Sequence, residues 1–300
     1  MRKLIYGSLL SLGLVAASCS SDDDTTSTPV EEKSMLNLNL TGLESLGDNY
    51  AYEGWIIVDG NAISTGVFTV DGTGNLSKKD FELNKADLDA ATKFVLTIEP
   101  ANDTDPAPSN TKYLVGDFNG NSASVNTAIV GDFSNSSGQF ILASPTDDVV
   151  DNDQYGIWFV NPTGENPVAS LNLPELEEGW KYEGWVVTED GKPLTTGTFT
   201  NVSATDEAAP FSGPVALPMP NGENGFFPGE DYLVNAPDGV TFPLDVRGKT
   251  VVITVEPFPD NDAKPFTLKP LVGTAGEMIG GANLHDLELQ NNFPTGTVTR

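Results

Sequence analysis

The chain has 300 residues, 38% hydrophobic and 19% charged, with 30 Gly and 21 Pro. That composition can bury a core but is low in charge and rich in turn formers, which excludes a helical bundle, a coiled coil and a collagen-like fibre. Fifteen basic against 43 acidic residues give a net charge of -28, so nucleic acid is excluded as a partner, and one Cys and one His exclude a disulfide framework, a thiolate or imidazole zinc site and a Cys–His catalytic pair.

Residues 1–18 read as a signal peptide. Met1-Arg2-Lys3 is a basic start, and Leu4 to Ala17 is an apolar run too short to span a bilayer. Ala16-Ala17-Ser18 then precedes Cys19, the only Cys. The segment resembles a bacterial lipoprotein signal, with Ala16 where such signals prefer Leu. The resemblance implies lipidation of Cys19 and an outer membrane lipoprotein, on the cell surface or the periplasmic face. Ser20-Ser21-Asp22-Asp23-Asp24 resembles the tag of surface-exposed lipoproteins in the Bacteroidetes, and equally suits an acidic spacer. Residues 19–34 are expected to be a flexible tether.

Beyond residue 34 the pattern is strand after strand. Short runs rich in Val, Ile, Phe, Thr and Trp alternate with Gly, Asn, Asp and Pro clusters. Asp59-Gly60 and Asp190-Gly191 sit between strands as hairpin turns, and only Lys85 to Thr92 reads as helical. The chain also repeats itself. Tyr52-Glu53-Gly54-Trp55 returns as Tyr182-Glu183-Gly184-Trp185, and Gly66-Val67-Phe68 as Gly197-Thr198-Phe199. Glu99-Pro100 returns as Glu256-Pro257, and Leu38-Asn39-Leu40 as Leu171-Asn172-Leu173. The expected fold class is all-β, two related antiparallel β-sandwich (Ig-like) domains in tandem. The boundaries are a first repeat over 35–135, a connecting hairpin with an acidic loop over 136–168, and a second repeat over 169–300. The second repeat carries a Pro- and Gly-rich excursion, Pro210 to Pro243, expected to be a long ordered loop.

The succession Tyr-x-x-Trp, hairpin, Gly-x-Phe, then Glu-Pro resembles the extracytoplasmic C-terminal domain of RskA-type anti-sigma-K factors. Tyr52, Trp55, Gly66, Phe68, Glu99 and Pro100 carry it first, and Tyr182, Trp185, Gly197, Phe199, Glu256 and Pro257 carry it again. The sequence contains neither the sigma-binding helical domain nor the membrane span of such factors, so the resemblance implies a fold rather than sigma-factor binding.

Three groups of residues are candidates for chemistry. Glu99, Asp103 and Asp105 recur at the same spacing as Glu256, Asp260 and Asp262. Such oxygen ligands suit Ca²⁺, and Glu99 and Glu256 equally suit hydrogen bonds to turn amides. Asp147, Asp148, Asp151 and Asp153 form a second acidic loop. Trp158, Trp180, Phe226 and Phe227 fall near loops and are candidates for an aromatic ligand platform, whereas Trp55 and Trp185 read as core. No catalytic residue is assigned: His285 lacks a nucleophile elbow, and acidic pairs are expected by chance in so acidic a chain. No cofactor is expected beyond a possible Ca²⁺. The expected function is a lipid-anchored, non-catalytic binding or structural module of the cell envelope. Its partners would be the membrane through Cys19 and an envelope protein or glycan. Capture of glycan for polysaccharide uptake, and a sensor part in an envelope sigma/anti-sigma pathway, are the alternatives.

Overall fold

The computed structural model describes residues 31–215, 227–259 and 262–300, and residues 32–300 form one compact unit. Cys19, Phe226 and Asp260 lie outside the described residues. The first stretch of chain supplies β1 (Lys33–Thr41), β2 (Tyr50–Val58), β3 (Asn61–Phe68), β4 (Asp80–Asn84), the short helix α1 (Lys85–Ala90), β5 (Lys93–Pro100), β6 (Lys112–Asn119) and β7 (Ser122–Asn126). There follow β8 (Ser137–Leu142), β9 (Gly156–Trp158), β10 (Val160–Asn161), β11 (Val168–Ala169), β12 (Leu171–Asn172), β13 (Trp180–Val187) and β14 (Pro193–Phe199). The last are β15 (Gly229–Asp231), β16 (Thr250–Pro257), β17 (Leu271–Thr274), β18 (His285–Leu289) and β19 (Thr295–Thr299). The protein is thus nearly all β, in two large antiparallel sheets.

Local chemistry accounts for these elements. In β1, Leu36, Leu38 and Leu40 are buried while Asn37, Asn39 and Thr41 face solvent, the period-two pattern of a strand with one wet face. Asp59 and Gly60 both take positive φ, 49° and 82°, as a two-residue hairpin turn with the sheet's own twist demands. Asn84 caps α1 by accepting from the Ala86 amide at 2.9 Å.

The first sheet has the order β3-β2-β5-β6-β7-β19-β1-β4. It curls until its edges meet: Phe68 of β3 lies 6.2 Å from Phe81 of β4, ring to ring. Tyr52, Ile56, Phe94, Leu96, Tyr113 and Leu114 fill the interior. The second sheet has the order β14-β13-β16-β17-β18-β8-β9-β15, with β12 also paired to β8.

Both sheets carry the same irregularity. In the β2–β3 pair Gly54 faces Gly66 while Trp55 faces Ser64, so Thr65 is the extra residue of a bulge. In the β13–β14 pair Gly184 faces Gly197 while Trp185 faces Thr195, and Thr196 is the extra residue. Gly66 and Gly197 have φ of 116° and 100°. A Cβ on Gly54 would lie 2.4 Å from the Thr65 hydroxyl oxygen, and one on Gly184 2.3 Å from that of Thr196. Each bulge therefore needs a glycine on both strands.

The sheets do not follow the order of the chain. After β7 the chain leaves the first sheet, and β8 pairs with β18 of the second, His285 opposite Phe140. After β18 it returns, and β19 enters the first sheet between β7 and β1, with Gly296 opposite both Val125 and Leu40. The two crossing segments meet where Phe133 and Phe293 pack edge to face at 5.6 Å. Arg300 fastens the returning strand: its guanidinium donates to the carbonyls of Leu88 and Ala91 at the end of α1 and lies 4.4 Å from the centre of the Phe118 ring.

Candidate functional site

The residues that carry the family-like pattern form one hydrogen-bonded clamp, built twice. The Trp55 indole donates to the Thr97 hydroxyl at 2.9 Å, and that hydroxyl donates to Glu99. The same Glu99 oxygen accepts from the Ser109 amide at 2.9 Å. In the second sheet Trp185 donates to Thr254 at 2.9 Å, Thr254 to Glu256, and the Phe266 amide to Glu256 at 2.9 Å. Tyr52 and Tyr182 reach through the core, donating to the carbonyls of Glu44 at 3.0 Å and Pro174 at 2.7 Å. Trp55 and Trp185 are buried, 2% and 3% exposed, on the sheet face opposite Tyr52 and Tyr182. The clamp ties each sheet to the segment before β2 or β13 and to the loop after the Glu-Pro strand.

Those held segments line an open cavity of about 460 Å³ between the first and second halves. Residues 44–50, Pro100 and the Ser109–Thr111 turn form one side, and Pro257, Phe258, Pro259 and Phe266 the other. The Tyr50 hydroxyl spans the halves to the Pro259 carbonyl at 3.4 Å. Beneath, Tyr113 packs against Trp180 and Phe266, each at 5.4 Å between ring centres. A cavity of this size with an apolar lining and a few polar groups is the usual form of a small-ligand site.

Among the described residues the repeated carboxylates do not converge. Glu99 and Glu256 are buried in the clamps, whereas Asp103, Asp105 and Asp262 are exposed. Asp103 accepts from the Asp105 amide at 2.9 Å and Asp105 from the Ala107 amide at 3.0 Å, ordinary turn chemistry for aspartate. In the acidic loop Asp147 accepts from the Val149 amide and the Asn152 side chain, at 3.0 and 2.6 Å. Among the described residues no three His, Cys, Asp or Glu side chains are grouped so as to hold a metal ion.

The aromatic candidates are consumed by packing. Trp158, Trp180 and Phe227 are 7%, 3% and 7% exposed. The Trp158 indole donates to Asp231 at 2.8 Å and that of Trp180 to the Lys112 carbonyl at 3.2 Å. A stacking platform at these positions would require the rings to leave that packing. Half-exposed Phe258, at the cavity, is the aromatic that local sequence did not single out. His285 is also engaged at both nitrogens: Nδ1 accepts from the Gly276 amide at 3.2 Å, and Nε2 lies 2.9 Å from the Met278 carbonyl.

A second feature escaped sequence reasoning. Asp206, Glu230 and Asp231 come together where β15 meets the excursion after β14. Glu230 and Asp231 are fully buried. Asp206 accepts from the Gly229 amide at 2.8 Å. Glu230 accepts from the Phe211 amide at 3.2 Å and the Ser212 hydroxyl, and Asp231 from the Thr146 amide at 2.7 Å, the Thr146 hydroxyl and Trp158. Their donors are neutral, and burial pushes Asp206 and Glu230 up to about 7 and Asp231 up to about 6. Perturbed carboxyls often mark function, but these three have their oxygens committed to stitching the excursion onto the second sheet. Residues 206 and 230 lie too far apart in sequence for any local pattern to pair them.

A clamped, all-β module with a cavity between its halves is the class that fold and site define. The family model described as anti-sigma-K factor rskA, C-terminal, matches residues 11–112, a span that holds Tyr52, Trp55, Gly66, Phe68, Glu99 and Pro100 and agrees with the resemblance those residues carry. No curated protein and no solved structure matches the chain.

Proposed function

We propose that the protein is a lipid-anchored, non-catalytic binding module of the outer cell envelope, held to the membrane through Cys19, with its ligand site in the cavity between the halves. The observation that carries the binding role is the cavity itself, whose walls come from both halves and are fixed by the two clamps. The second half, outside the matched span, is on this reading the same module again. Non-catalytic action is supported by the buried carboxylates and His285, whose polar atoms serve structural donors and acceptors. No helix among the described residues is long and apolar enough to cross a membrane, so attachment on this reading rests on lipid. The family match favours a second reading, a sensor component of an envelope sigma/anti-sigma pathway.

The test is made in cells. Cys19→Ala should move the protein from the membrane to the soluble fraction, and a photo-crosslinking residue at Leu46 should give a discrete adduct in the intact envelope. Unchanged partitioning would overturn the anchor. A crosslinker at Leu46 that yields no adduct in correctly located protein would overturn the binding role. Loss of sigma-dependent transcription on deletion, where the undeleted protein gives the Leu46 adduct, would favour the sensor reading.

A further inference from the structure

The lining of the cavity selects by charge as well as by shape. Glu44, Asp48 and Asp262 stand among its lining residues, and no Lys, Arg or His does. The chain as a whole carries -28. An anionic ligand would therefore meet repulsion both at the site and at long range, while a cation is drawn in by both. The rest of the lining is largely apolar, with Ile98, Phe258 and Phe266 among its larger side chains. One face of Phe258 is already taken: the Lys181 nitrogen lies 3.8 Å from its ring centre, the geometry of a cation–π contact. Lys181 is itself held by Glu207 at 2.5 Å, so it fixes the ring from outside the cavity lining.

We propose that this cavity binds a small organic ammonium ion. Its charged end is held by Asp48 and Asp262, and its apolar body lies against Phe258, Ile98 and Phe266. The assignment rests on the binding role proposed above and names its ligand class. The volume, 460 Å³, is within the roughly 300–1,000 Å³ of small-molecule sites.

The experiment is calorimetric titration of the full chain in detergent micelles with three probes of similar body: phenethylamine, phenethyl alcohol and hydrocinnamate. The amine should bind about tenfold more tightly than the alcohol, the equivalent of about 1.4 kcal/mol, and hydrocinnamate should bind more weakly than either. The double substitution Asp48→Asn and Asp262→Asn should sharply reduce the preference for the amine, with Glu44 left in the lining, and leave the affinity for the alcohol in place. Retention of affinity for the alcohol shows that the variant is folded. Equal binding of amine and alcohol by the parent chain, or an amine preference undiminished by the double substitution, would overturn the assignment. Tighter binding of a neutral trisaccharide would replace it with a glycan, and tighter binding of the tripeptide Leu-Lys-Phe with a peptide. If no probe binds while the Leu46 adduct persists in cells, the ammonium assignment falls and the binding role stands. Loss of the adduct removes both.

Discussion

Glu230→Gln isolates the cost of burying one carboxylate among neutral donors. Glu230 is fully buried, and burial raises its carboxyl from the ordinary 4.5 to about 7. Below pH 4.5 the group is protonated in both folded and unfolded chains and makes no difference between them. Between pH 4.5 and about 7 the unfolded chain has ionised while the folded chain still holds its proton, so stability falls as pH rises. Above pH 7 the full cost is present. At about 1.4 kcal/mol per pH unit the gap from 4.5 to about 7 amounts to about 3.5 kcal/mol. The glutamine keeps the shape and cannot ionise, and its own mismatch with the Phe211 and Asp231 amides is the same at every pH. Urea unfolding of both proteins at pH 5 and pH 8 gives the double difference. Because part of the cost is already present at pH 5, the substitution should be about 2.5 kcal/mol more favourable, relative to the parent chain, at pH 8 than at pH 5. General repulsion among 43 acidic residues also lowers stability as pH rises, but it acts on both proteins and cancels. Parallel pH profiles for the two would refute the reasoning.

Three further outcomes are expected. Trp55→Ala should cost about 3–5 kcal/mol in denaturant unfolding, and Trp55→Phe about 1 kcal/mol through loss of the bond to Thr97; a cost for alanine under about 1 kcal/mol would mean that Trp55 is not buried. Gly296→Val should destabilise by several kcal/mol, about as much as a lost core leucine, because a Cβ there would lie 2.3 Å from the Asn39 carbonyl; a melting temperature within a degree of the parent's would show that β19 is not packed between β1 and β7. Arg300→Ala should speed hydrogen exchange in 295–299 and at the end of α1 together; exchange altered in only one of them would separate the two.

The sequence made the strands legible wherever their cause is local. The Val-, Ile- and Phe-rich run of β5, the Asp59-Gly60 turn and the helical run at Lys85 all rest on residues a few positions apart, and each has its counterpart in the structure. The buried role open to Glu99 and Glu256 was also visible, since a carboxylate at a strand end followed by Pro leaves turn amides within reach. The Thr-rich run 295–299 was not recognised as a strand, and nothing near it in sequence shows that its partners are β1 and β7. The same holds for the place of β8 in the second sheet. Trp158 and Trp180 looked exposed because they flank loops, yet their indoles are satisfied by Asp231 and by the Lys112 carbonyl, both more than sixty positions away. The cavity combines residues 44–50 with 257–266, a juxtaposition fixed only by tertiary packing.

The crossing of β8 and β19 also sets the order in which the molecule can be finished as it is made. β1 to β7 leave the ribosome first, yet the place between β7 and β1 stays vacant until residues 295–299 have been synthesised. The second sheet has the opposite history, because β8 is already waiting when β18 arrives. An early, self-sufficient first half is therefore not available to a growing chain. Until residues 295–299 emerge, the polypeptide keeps a hydrogen-bonding edge open on each side of that gap, and the first sheet is completed in a single closing step.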